Sequence, residues 1–195
     1  MNMPNLLTLL RIALAPVFMF FFIVDNFYMK LVGLALFVLA ALTDMADGYY
    51  ARKYGIVTGF GKFMDPLADK ILVSSALITF IAMKFVSAVP VILIVGREFA
   101  ITGLRLLAAY KGVVIPPSWG AKLKTFVQMT VVGIVIGYIT LLALLTQLES
   151  PALGLLEFDY YFYFNLGLWV TAAITVWSGV DYIVKYFYMI KSVLK

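Results

Sequence analysis

The chain has 195 residues, 64% hydrophobic and only 13% charged, with mean hydropathy +1.03, net charge +5, and neither Cys nor His. Soluble domains sit nearer half apolar and about a quarter charged, so nearly all of this chain must face lipid or other apolar helices, as a single domain over 1–195. The missing Cys and His exclude disulfides, a zinc-type site and imidazole acid–base chemistry, leaving oxygen ligands for any metal and carboxylates, Lys or Tyr for proton transfer.

The opening Met1-Asn2-Met3-Pro4-Asn5 lacks the charged n-region and cleavage site of a signal peptide, so the first apolar stretch is expected to be retained. Pro4 suits a helix start, and Asn5, Thr8 and Arg11 fall on one stripe. That stripe is either an interfacial anchor or a polar wall beside a nucleotide. Helices are predicted at 5–24, 28–53, 60–83, 88–110, 118–146 and 162–187, with Lys84, Ser87 and Pro90 separating the third from the fourth.

With the N-terminus inside, Arg52, Lys53, Lys62, Lys111, Lys122, Lys124, Lys185, Lys191 and Lys195 fall toward the cytoplasm, and only Lys30 and Lys84 fall outside. The expected fold is all-α and integral to the membrane: six transmembrane helices, both termini cytoplasmic. The positive charge is topological and implies no nucleic acid.

The second and third helices are informative. The apolar run 71–83 reaches only roughly 20 Å, against a hydrocarbon core of roughly 30 Å. The run 27–43 falls a little short as well. Both span only if they continue through the charged segment 44–69, which therefore forms two recessed helix ends on the cytoplasmic side. Asp44 and Asp47 are three apart, Asp65 and Asp69 four apart, so each pair shares a helix face. Folded about residue 56, where Gly55 permits a turn, Asp47 and Asp65 are each nine residues away, Asp44 twelve and Asp69 thirteen. Four of the ten acids thus converge at matched levels. Like charges so placed need compensation, and divalent cations are the natural source. Gly48, Ala51 and Gly61 remove bulk where a pyrophosphate would approach, and Arg52 can pair with phosphate. The alternative is structural ion pairing with Arg52, Lys62 and Lys70. A divalent-cation transporter is a further alternative, but it needs polar groups along a path to the outer face, and the outer halves of the spans offer almost none.

This segment reads D-x2-D-G-x2-A-R-x8-G-x3-D-x3-D from Asp44 to Asp69. It resembles the CDP-alcohol phosphotransferase family at every specified position. The resemblance implies a membrane transferase in which Asp44, Asp47, Asp65 and Asp69 bind one or two ions of Mg2+ or Mn2+, with two expected, and Asp69 also serves as general base. It assigns Gly48, Ala51, Arg52 and Gly61 to the CDP donor, and the polar-wall reading of the first helix puts Asn5 and Thr8 beside it. The implied reaction is attack by an alcohol on the β-phosphate of a CDP-linked donor, with release of CMP. The resemblance further implies a homodimer, multi-pass in the bacterial cytoplasmic membrane.

The motif does not fix the acceptor. Arg97 and Arg105 share a face of the fourth helix, and Lys122 and Lys124 open the fifth. Arg97 has a possible structural partner in Glu98, and the lysine pair has a topological reading. Taken together these four basic residues suit an acceptor phosphate. With Pro4-Asn5-Leu6-Leu7-Thr8, Gly96-Arg97-Glu98, Gly103-Leu104-Arg105, Thr125 and Gln128, they resemble the members using CDP-diacylglycerol and glycerol 3-phosphate. Members using inositol phosphate, or making cardiolipin, are the alternatives. Tyr160 to Phe164, Trp169 and Trp177 read as interfacial belt and core, and Gly133 with Gly137 as a small-residue packing step.

Overall fold

The computed structural model describes residues 3–54, 59–113, 119–156 and 158–187, with side chains except at 3–5, 44–54, 59, 60, 62, 63 and 155. The described residues form six α-helices: α1 Met3–Ile23, α2 Phe27–Tyr54, α3 Gly59–Ala82, α4 Ala88–Tyr110, α5 Trp119–Gln147 and α6 Tyr160–Lys185. A 3-10 helix, Pro151–Leu156, precedes α6, and no strand occurs among the described residues. All six predicted helices are present. The predicted turn about residue 56 lies outside the described residues.

α1, α5 and α6 are long and apolar enough to cross a membrane, and the apolar part of α2, Phe27–Thr43, is shorter. The charges of segment 44–69 are what shorten the apolar runs of α2 and α3. Both helices nevertheless continue through those charges. α2 has 28 residues and α3 has 24, or roughly 42 Å and 36 Å of helix. Segment 44–69 is therefore mostly the end of one helix and the start of the next, as the length argument required.

Two compact units divide the chain: Met1–Phe85 with Val132–Tyr160, and Val86–Val131 with Tyr161–Lys195. In the first, α1 packs on both α2 and α3. Its buried stripe is Thr8, Arg11, Ala15, Phe18 and Phe22, alternating three and four residues apart. Phe18 meets Phe22 and Phe37 with ring centroids 5.3 Å apart. Gly33 admits this packing, since a Cβ there would lie 3.1 Å from the Phe22 ring. α3 is buried on every side from Leu72 to Leu77. Its Ser75 and Thr79 hydroxyls donate to the carbonyls of Ile71 and Ser75, each at 2.8 Å, so their burial costs no unmet hydrogen bond. Tyr160 joins Phe85, Tyr138 and Phe158 in an aromatic cluster, and the Tyr138 hydroxyl donates to Leu156 O at 3.3 Å. Tyr160 is thus half-buried among these rings, whereas Tyr161, Phe162 and Tyr163 are exposed as a belt would be.

In the second unit, Ile101, Ala108 and Tyr182 form a core flanked by Leu104, Val113 and Tyr186. Small residues set its close contacts. A Cβ on Gly120 would meet Trp177 at 3.1 Å and Ser178 at 3.2 Å, and one on Gly179 would stand 3.0 Å from Arg97 Nε. The Ser87 N–H donates to Asn165 Oδ1 at 2.8 Å, tying the start of α4 to α6. Gly133 and Gly137 behave differently: a Cβ at either would meet nothing within 4 Å among the described residues. Their small face is not used in helix packing there.

Candidate functional site

α3 delivers Gly61, Asp65 and Asp69 at intervals of four, and hence on one face. Gly61 is buried and both acids are half-buried. Pro66 follows Asp65 inside the helix and removes one i→i−4 hydrogen bond at that turn. The α1 stripe brings Thr8, fully buried, to this face, where its Oγ1 donates to Asp65 Oδ1. That bond fixes one oxygen of the carboxylate and so orients the other, the arrangement expected around a metal-ligating acid. Lys70 Nζ donates to Asp69 Oδ2 at 2.5 Å. One of the ion pairs weighed from the sequence is therefore present, at the very acid expected to act as base.

Asp44 and Asp47 lie three apart on α2, near its C-terminal end. Their side chains, and those of Asn5, Ala51 and Arg52, lie outside the described residues, as does the surroundings of Gly48. α1 touches both helices that carry the acids. The donor set is oxygen throughout, carboxylates in pairs one turn apart, and it suits a hard divalent cation such as Mg2+ or Mn2+.

The second unit gathers the basic residues and divides them by role. Arg105 of α4 and Lys122 of α5, both exposed, line an open concavity of about 490 Å³ with Ala121, Thr125 and Phe126. Lys124 and Glu98 are both almost completely buried and form an ion pair joining α5 to α4. Arg97 Nη2 donates to Ser178 Oγ at 2.9 Å, joining α4 to α6. The expected acceptor-binding quartet thus comprises two open cations and two engaged in holding helices together. Sequence does carry a signal for this. Lys124 shares a stripe with Gln128, Val132, Val135 and Ile139, all buried, whereas Lys122 falls off it.

A family model described as CDP-alcohol phosphatidyltransferase matches residues 1–177. The chain belongs to the CDP-alcohol phosphatidyltransferase family. Among its relatives is a protein of Bacillus subtilis named CDP-diacylglycerol–glycerol-3-phosphate 3-phosphatidyltransferase, 41% identical over 94% of each chain. A protein of the same name from Rickettsia typhi is 40% identical over 93% of this chain and 94% of its own. A probable phosphatidylglycerophosphate synthase of Mycobacterium tuberculosis is 43% identical over 68% of this chain and 65% of its own. Membership of the phosphatidyltransferase family makes the chain a transferase, and the transporter reading falls away.

Proposed function

We propose that this phosphatidyltransferase moves a phosphatidyl group from CDP-diacylglycerol to glycerol 3-phosphate, yielding phosphatidylglycerophosphate and CMP. The observation that carries the reading is end-to-end identity near 40% to relatives named for that reaction. The paired cations Arg105 and Lys122, lining one concavity, support a phosphorylated acceptor over an uncharged one.

Asp44, Asp47, Asp65 and Asp69 would hold two divalent cations, Mg2+ or Mn2+, which when bound neutralise the pyrophosphate and ease departure of CMP. Thr8 keeps the Asp65 carboxylate in its ligating orientation. Asp69 takes the proton from the acceptor hydroxyl as its oxygen bonds to the β-phosphorus. The bond from that phosphorus to the CMP oxygen breaks, and CMP leaves with the electron pair. Gly48, Ala51, Arg52 and Gly61, with Asn5 and Thr8, bind the CDP portion. Arg105 and Lys122 hold the acceptor phosphate. Lys124 and Arg97 serve that site by fixing the helices, through Glu98 and Ser178. The protein works as a homodimer and as a single domain, with six spans, both termini in the bacterial cytoplasm and the carboxylates recessed on that side.

Kinetics separate the proposed roles. CMP release from CDP-diacylglycerol and glycerol 3-phosphate should vanish in Asp69→Asn while that variant still binds CDP-diacylglycerol. Arg105→Ala should raise KM for glycerol 3-phosphate roughly tenfold to a hundredfold, matching loss of a charge-assisted bond, with KM for the donor unchanged. Undiminished turnover in Asp69→Asn removes it as base. An equal rise in both KM values removes Arg105 from the acceptor site.

A further inference from the structure

At the far end of the first unit from Asp65 and Asp69 lies a second cavity, of about 350 Å³. Met83 lines it, and residues 69 and 83 are separated by roughly 21 Å at 1.5 Å of helix rise per residue. The cavity is large enough for a small-molecule group.

Lys30 lines the cavity and is only 4% exposed. Its Nζ donates to Val24 O at 2.8 Å and to Asp25 Oδ1 at 3.2 Å. An ammonium has three N–H bonds, so these two leave one donor to spare. Asn26 lines the same cavity, and its Oδ1 already accepts from the N–H groups of Tyr28 at 2.9 Å and Met29 at 3.3 Å. What Asn26 has left to offer is its amide N–H2 donor. Lys30 and Asn26 therefore present donors, one of them cationic, while the Asp25 carboxylate that pairs with Lys30, together with Thr146 and Gln147, lines the same cavity. The polar wall thus carries both signs of charge and suits a zwitterionic headgroup. Phe85, Ile139 and Leu142 supply a hydrocarbon wall. A lysine that merely stapled the α1–α2 connection would need its two bonds but no cavity beside them.

We propose that this cavity binds the phosphate headgroup of a membrane phospholipid, its acyl chains lying along Phe85, Ile139 and Leu142, at a site separate from the transfer site. A phosphate diester joined to hydrocarbon is the ligand that uses both walls. Free inorganic phosphate uses only the polar one.

The test is lipid retention by the full-length protein in detergent, measured by native mass spectrometry. The probe is phosphatidylethanolamine, which is neither donor nor product of the proposed transfer. Wild type should retain one more such lipid than Lys30→Met, which removes the donor, and than Ala143→Phe, which fills the cavity and leaves every charge in place. Apparent affinity should fall at least fivefold in each. Diacylglycerol, which lacks the phosphate, should not be retained, and millimolar inorganic phosphate should not displace the lipid. CMP release checks folding of both variants; if Lys30→Met loses it, Ala143→Phe alone decides. Equal retention in wild type and Ala143→Phe, equal retention of diacylglycerol, or displacement by inorganic phosphate would each overturn the lipid site.

Discussion

Thr8 illustrates how a modest residue can control a carboxylate. It lies 57 positions from Asp65 in the chain, yet its hydroxyl donates directly to that acid. Hydrogen bonds to charged groups are worth about 1.5–3 kcal/mol, and a tenfold rate change corresponds to roughly 1.4 kcal/mol. Thr8→Val keeps the shape and removes the donor, so kcat for CMP release should fall roughly ten- to a hundredfold. Thr8→Ser should recover most of it. A Thr8→Val enzyme with wild-type kcat would mean that Asp65 needs no such orientation. Spacing along the chain placed Thr8 on a polar stripe but could not name its partner, because nothing in either local sequence encodes the docking of α1 on α3. Asp65 and Asp69 were legible for the opposite reason: four-residue spacing and interleaved small residues are local facts.

Among the helices, the informative element is α4. Its apolar run is broken by Arg97-Glu98, and each of the two charges ties α4 to a different helix, Arg97 to α6 and Glu98 to α5. Adjacency in the sequence suggests instead that the two pair with each other. What decides the actual arrangement is burial: Lys124 stands on the inward stripe of α5 and needs an anion there. Removing one member of a buried pair strands the other charge, at about 3–5 kcal/mol, whereas replacing both with apolar residues is often neutral. Glu98→Gln should therefore lower the thermal midpoint in detergent markedly, and Glu98→Met with Lys124→Met should restore it. A midpoint unmoved by Glu98→Gln would show that the pair does not hold α4 to α5. Helix positions themselves were readable from apolar runs and their breakers. The continuation of α2 and α3 through charge was readable because a shorter helix could not span.

For the whole molecule, the division into two units was not legible, since each draws on separated stretches of chain and α5 contributes to both. Proximity of distant segments leaves no periodic trace. The proposed orientation can be tested cleanly because the chain has no native Cys. In intact cells a membrane-impermeant thiol reagent should label Lys84→Cys and spare Lys111→Cys until the membrane is opened; the reverse pattern would invert the topology.

The central claim concerns the acceptor. The most direct measurement supplies purified protein with CDP-diacylglycerol, Mg2+ and, in separate reactions, labelled glycerol 3-phosphate, inositol phosphate, phosphatidylglycerol, serine or inositol. Glycerol 3-phosphate alone should support CMP release, with its label entering the lipid fraction one for one with CMP. CMP release supported by another acceptor and not by glycerol 3-phosphate would contradict the account.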